Sequence, residues 1–329
     1  MLNDRDKYLI YSELAKLSEA GFPINNAAEA ILDTRPPSRQ VNFLNEIING
    51  IEAKKSLTET IKSLPSKLSP LEVSLINAGE KSGKIPEIFN HLSRYFSLKN
   101  SIQKKIKAGL IYPVLLLHLG IILLALAKTA QSRDFASEAM NVFTTLIIFY
   151  LACAIFYFGF RAANRKAQRS ASLDAFLNKI PIFGKVRKSF ALSRFTEILR
   201  TYLISSHSVS SSILAASEAS ASGRILQCAK EKILPSVDAG NPVGPVLATE
   251  PDNFPPVFAR AYITSEESGT LNVELKKWAS VFTDEAESSS KKMGVIFPKI
   301  AYLLIVIIVI WQIFKMANIY FQTLEKLIR

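Results

Sequence analysis

The stretch Leu75–Phe96 reads LINAGEKSGKIPEIFNHLSRYF, and a near copy, ITSEESGTLNVELKKWASVF, recurs at Ile263–Phe282. Setting AGEKSG (Ala78 to Gly83) over TSEESG (Thr264 to Gly269) aligns the chain in both directions without large gaps. Upstream, LSPLEVSLI lies over FPPVFARAYI, with Ser69 and Pro70 opposite Pro255 and Pro256. Downstream, Ile85, Phe89, Leu92 and Phe96 fall over Leu271, Leu275, Trp278 and Phe282. Farther on, KKIKAGLIYP, ending at Pro113, meets KKMGVIFP, ending at Pro298, after a one-residue slip. At the start of each unit SELAKLSEAGFPI meets TEILRTYLISSHSV. So long a spacing marks two copies of a whole folding unit.

Within a copy the apolar spacing is helical. Ile85, Ile88, Phe89, Leu92, Tyr95 and Phe96 fall at steps of three and four, and Leu9, Leu14, Leu17 and Ala20 give a second such face. Strand-like alternation is scarce, so each copy predicts a bundle of five or six short helices. Turns are expected at Gly21 to Pro23, Pro65 to Pro70 and Gly79 to Gly83, and in the second copy at Ile180 to Lys185 and Ser236 to Pro245. The expected fold class is all-α.

Of the 329 residues, 49% are hydrophobic, and they are concentrated in runs. No charge occurs from Ala108 to Ala127, between Lys107 and Lys128, and none from Ala139 to Phe160, between Glu138 and Arg161. About twenty residues suffice for a helix to cross the hydrocarbon core. A third run starts near Gly294 and carries Lys299 close to its start, so it spans only if flanking lysines reach to the interface. Lys104, Lys105 and Lys107 precede the first run, Arg161, Arg165, Lys166 and Arg169 follow the second, and Lys291 and Lys292 precede the third. The excess of positive charge beside these ends predicts both large hydrophilic blocks in the cytoplasm. The expected organisation is repeat 1 over 1–107, spans over 108–128, 140–160 and 294–316, a short periplasmic loop over 129–139, repeat 2 over 161–293 and a periplasmic tail over 317–329. The amino terminus, MLNDRDKYLIYSEL, is charged and amphipathic, unlike a cleavable signal peptide.

The net charge of +12 is explained by residues flanking spans, where they fix topology and meet anionic lipid, so nucleic acid is not an expected partner. Cys153, inside a span, and Cys228, in a hydrophilic block, are not placed to pair, and no metal framework is expected. The chain lacks a GxxxxGK[ST] phosphate loop, an HExxH helix and a CxxC pair, so neither a cofactor nor enzymatic activity is expected. His118 lies inside the first span, where a neutral interhelical hydrogen bond is favoured over a proton relay.

The paired GExSG elements, each followed by a helix and a membrane span, resemble the inner-membrane platform proteins of type II secretion and type IV pilus machines. IPIFGKVRKSFALSRFTEILRTYL (Ile180 to Leu203) is similar to that family's entry into its second repeat. Two departures stand out: Ser265 replaces the glycine before the second glutamate, and SSHSV replaces the glycine-proline turn around Ser206 and His207. The resemblance implies a non-enzymatic platform in the bacterial inner membrane. Its partners would be a cytoplasmic hexameric ATPase, pilin or pseudopilin subunits, other machine components, lipid and further copies of itself. A small transporter or channel built from repeated halves is the alternative, although transporters usually place their polar sites at mid-membrane.

The residues singled out are Gly79, Glu80, Ser82 and Gly83 with their counterparts Glu266, Ser268 and Gly269, and the membrane-entry prolines Pro113 and Pro298. The serines are expected to cap the next helix, the glycines to relieve the turn, and the glutamates to sit near a helix start or to present charge to a partner or a cation.

Overall fold

The computed structural model describes residues 2–64, 68–132, 135–205 and 207–328. All regular structure among them is helical. The first repeat comprises α1 (Asp4–Glu19), α2 (Ile24–Asp33), α3 (Ser38–Glu52), α4 (Leu57–Ser63), α5 (Pro70–Ser82) and the start of α6 (Ile85–Ser132). After α7 (Phe135–Lys166) and α8 (Ala171–Asn178), the second comprises α9 (Phe183–Ile204), α10 (Val209–Ala219), α11 (Gly223–Cys228), α12 (Leu234–Asp238), α13 (Val243–Ala248), α14 (Pro256–Glu267) and α15 (Leu271–Ile328). A π-helical segment, Ala229–Ile233, joins α11 to α12, and together these three occupy the place of α3.

Local chemistry explains the boundaries. Asn3, Ser56 and Ser69 each accept from the amide three residues on, while Asp6, Glu59 and Glu72 reach back to the cap amide, so α1, α4 and α5 start with capping boxes. Pro70 and Pro256 open α5 and α14, where the missing N–H has no cost. Gly83 (φ 69°) and Gly269 (φ 72°) stop them in the left-handed region. The expected turn at Gly79 to Gly83 is therefore shorter in the structure: α5 continues through Gly79 and Glu80, and only Gly83 and Lys84 lie outside a helix. Of the expected Pro65 to Pro70 turn, residues 65–67 lie outside the described residues.

The chain forms two compact units, one from 1–101 with 164–290 and the other from 102–163 with 291–329. The first unit holds both repeats on a shared core, in which Tyr11, Leu14, Phe89 and Phe96 belong to the same cluster as Phe195, Phe254, Phe258 and Phe282. Helix α5 packs on α9 and α10. Ser205 Oγ donates to the Ser82 carbonyl at 2.9 Å, His207 Nε2 lies 3.3 Å from the Lys81 carbonyl, and Tyr95 meets Phe190 edge-on at 5.3 Å. Helix α8 is tied in by buried Asp174, which pairs with Arg187 at 2.7 Å and accepts from Ser222 Oγ and from the Arg224 amide.

The second unit is built from the later part of α6, from α7 and from the later part of α15, and these three helices are long and apolar enough to cross a membrane. Leu117, Ile121 and Ile305 form its small interior with Val142, Leu146, Phe149 and Val309. Helices α6 and α15 run parallel, since contacts advance together from Gly109 against Pro298, through Tyr112 against Tyr302, to Gly120 against Val309. Pro113 and Pro298 both sit inside helices that continue past them. Helix α6 extends to Ser132 and α7 begins at Phe135, within the stretch read as a loop; α15 likewise covers positions 317–328 of the tail.

Candidate functional site

The motif glutamates act on a different helix from the one the sequence suggests. Glu80, in the last turn of α5, accepts from the Leu57 amide at 2.7 Å and the Thr58 amide at 3.0 Å, the first two N–H groups of α4. Glu266, in the last turn of α14, accepts from the Val243 amide at 2.9 Å and the Gly244 amide at 2.8 Å, the first two of α13. Helix starts leave such amides without partners inside the helix, and the dipole favours an anion there. Each carboxylate is thus a two-oxygen cap delivered across the fold, used identically in both repeats.

The remaining amides of each start are accounted for differently. In α4 the third amide, of Glu59, is taken by Ser56 Oγ at 3.1 Å. In α13 the third residue is Pro245, which has no N–H, and the N-cap Pro242 offers no side-chain acceptor. Glu266 is therefore the whole side-chain cap of α13. Gly244 permits the close approach: a Cβ there would lie 2.6 Å from Ile263 Cγ1 and 3.0 Å from Glu266 Oε2.

Neither motif serine caps the following helix. Ser82 Oγ donates back to the Ala78 carbonyl at 2.7 Å, and Ser268 Oγ pairs with Thr270 Oγ1 at 2.8 Å. In the last turn of α5, Ser82 is buried within reach of carbonyls of its own helix, which compete for its hydroxyl. Gly79 is a contact glycine inside α5, where a Cβ would come 2.7 Å from Ile88 Cγ1. Its counterpart Ser265 donates to the Tyr262 carbonyl at 3.0 Å, and the counterpart of Ile88 is Glu274, which turns to Trp278 Nε1 at 2.9 Å. The prolines are not brought together: Pro298 packs on Gly109, where a Cβ would lie 2.6 Å from Pro298 Cγ.

A second polar cluster, in repeat 1 alone, was not singled out in the sequence. Glu72 is fully buried and accepts from Lys7 Nζ at 2.6 Å, Tyr11 Oη at 2.8 Å, Ser69 Oγ at 2.7 Å and the Ser69 amide at 2.9 Å. Burial first, then the charge of Glu72, pushes the Tyr11 phenol well above its ordinary pKa. Lys7 Nζ also lies 5.0 Å from the centre of the Phe96 ring. The only sequence signal was the Ser69 to Glu72 capping-box spacing. With Ser12 set over Thr196, at the start of the repeat alignment, the corresponding places in repeat 2 hold Ala191, Phe195, Pro255 and Phe258; the register slips by one residue before the turn that holds Phe22 and His207.

The histidines stand apart. Burial, with Arg194 and Arg94 nearby and despite Glu197, pushes His91 down to about 4, so it stays neutral at physiological pH. His118 Nδ1 lies 2.7 Å from the Val114 carbonyl and Nε2 lies 2.8 Å from Tyr150 Oη, an interhelical bond between α6 and α7. Among the described residues no group of three or more His, Cys, Asp or Glu side chains is arranged to hold a metal ion. What the duplicated site can do chemically is fix helix starts, since both oxygens of each motif carboxylate already accept from backbone amides.

Comparison with known proteins matches residues 10–130 to the family model described as type II secretion system (T2SS), protein F. The chain is 24% identical over 304 residues to the type IV pilus assembly protein TapC of Aeromonas hydrophila, covering 86% of this chain and 72% of that one. It is 23% identical over 305 residues to the type IV pilus assembly protein PilC of Thermus thermophilus, covering 87% and 74%. It is 25% identical over 296 residues to the type II secretion system protein F of Pseudomonas aeruginosa, covering 84% and 73%.

Proposed function

We propose that this chain, similar over most of its length to type II secretion protein F and type IV pilus PilC proteins, is the inner-membrane assembly platform of a type IV pilus or type II secretion machine. The observation that carries this reading is that the similarity extends over 84–87% of the chain, well beyond a single motif. Both helical repeats lie on the cytoplasmic side, where they engage a hexameric ATPase, and the three spans guide pilin or pseudopilin subunits. Pulling a pilin's apolar helix out of the bilayer exposes hydrocarbon to water unless a protein surface accompanies it, and three long apolar helices with mostly unburied side chains suit that task. The chain supplies no chemistry of its own; the ATPase supplies the work, other inner-membrane components complete the machine, and the platform acts as a homo-oligomer on the axis of a symmetric motor.

The test is photo-crosslinking in cells from exposed Lys81 and Glu267, beside the two motif glutamates, combined with deletion of the gene. Capture of the motor ATPase or of pilin, and loss of filaments or secretion on deletion, are expected. Intact filaments and secretion after deletion, or solute flux through purified protein in vesicles, would overturn the proposal.

A further inference from the structure

The two repeats are not buried alike, and the difference falls on one helix face. Along α5, Leu71, Leu75, Ala78 and Ser82 are buried; their counterparts on α14, Val257, Ala261, Thr264 and Ser268, are half-buried or exposed. The extremes are Leu71 at 7% exposure against Val257 at 68%. These positions recur at three- and four-residue steps, so they form one stripe. Both α5 and α14 lead into an equivalent long helix, so contacts inside a repeat do not account for the difference. What covers the α5 stripe comes from the other repeat: α5 packs on α9 and α10, and its carboxyl-terminal turn meets Ser205 and His207 at the α9–α10 corner.

The same asymmetry appears on the receiving side. The repeat-1 counterpart of that corner joins α1 to α2, and there Phe22 stands where repeat 2 has His207. Their amides bond back to the Leu17 and Tyr202 carbonyls in the same way, which fixes the correspondence. Yet Phe22 is 48% exposed. Tyr95 meets Phe190, while its counterpart Val281 is 39% exposed. The contact between the repeats is therefore one-directional, with a donor face on repeat 1 seated on an acceptor corner of repeat 2. It leaves one unused donor face, on α14, and one unused acceptor corner, at α1–α2. Arg260, within the stripe of α14, and Glu29, on α2, are both exposed and opposite in charge.

We infer that the unused faces meet between molecules: the α14 face of one copy docks on the α1–α2 corner of a second copy, repeating the internal contact head to tail. Such a contact is heterologous, so it joins copies into a ring or a row and does not close a twofold pair. The inference rests on the homo-oligomer part of the proposed function and names its surface. By correspondence with Lys81 and His207, it places Glu267 of one copy beside Phe22 of the next.

The test uses full-length chains in native membranes with the exposed Cys153 replaced by alanine. Two differently tagged copies are co-expressed, one Glu267→Cys and one Phe22→Cys, and treated with a short bis-maleimide. A mixed dimer is expected, a chain with both substitutions should give a ladder, and either substitution alone should give neither. Lys81→Cys with His207→Cys in one chain, cross-linked internally, is the positive control, and unchanged melting checks the fold. Phe22-to-Phe22 cross-links, or no mixed product from chains that native mass spectrometry finds oligomeric, would overturn the docking surface and leave the oligomer standing. Monomers alone by native mass spectrometry would overturn both.

Discussion

At the scale of single residues, the two glutamates carry equal geometry but unequal burdens. In α4 the capping box of Ser56 and Glu59 remains if Glu80 is lost, whereas α13 has no other side-chain cap. Glu266→Ala should therefore cost about 2 kcal/mol and Glu80→Ala about 1 kcal/mol of stability, read from denaturant unfolding in detergent. Equal losses would show that the secondary caps contribute nothing. The sequence made these glutamates visible through repetition, but their targets lie 23 and 22 residues upstream and leave no periodic mark. The serines depart from expectation for a related reason: position beside a helix start suggests a cap, yet buried Ser82 bonds back to the Ala78 carbonyl of its own helix and exposed Ser268 pairs with the Thr270 hydroxyl.

Among elements, the crossing of α6 and α15 rests on Gly109, which sits in the same GxxxP spacing as Gly294 before Pro298. The two glycines are not equivalent in use. A Cβ at 109 would overlap Pro298, while one at 294 would make ordinary contact with Lys105 Cβ at 3.6 Å, and one at 159 would meet nothing within 4 Å. Gly109→Val should lower the thermal stability of the membrane unit by about 1–3 kcal/mol by forcing the helices apart, and Gly159→Ala should leave it unchanged. A melting series in detergent distinguishes them, and a tolerated Gly109→Val would mean that the helices part easily. The spans themselves were legible because twenty uncharged residues have few other uses. Their partners were not, because apolar side chains look alike whether they face lipid or another helix.

For the whole molecule, duplication provides an internal comparison of two ways to fill one site. Repeat 1 joins half-buried Lys7 and Ser69 to buried Tyr11 and Glu72 as a bonded set; repeat 2 puts Ala191, Phe195, Pro255 and Phe258 in their places. Removing one partner of a buried pair strands the others, so Glu72→Ala should cost about 3–5 kcal/mol. Exchanging the full set to Ala, Phe, Pro and Phe removes every stranded group, including the Ser69 amide, and should recover most of that loss in the same unfolding assay. Failure to recover would mean that the polar set is required by its surroundings. The all-helical class and the repeat could be read from the chain, while the common core of the two repeats could not. Contacts such as Tyr95 with Phe190 or Ser82 with Ser205 join residues about a hundred positions apart, with nothing local to announce them.

The cross-fold caps also impose an order in time. Helix α4 has 7 residues and α13 has 6, too short to persist alone in water. Each waits for a carboxylate that leaves the ribosome more than twenty residues later, a delay of roughly one to five seconds at about 5–20 residues per second. During synthesis, then, both short helices stay unmade until the next helix has nearly emerged, and the last turn of that helix closes the one before it.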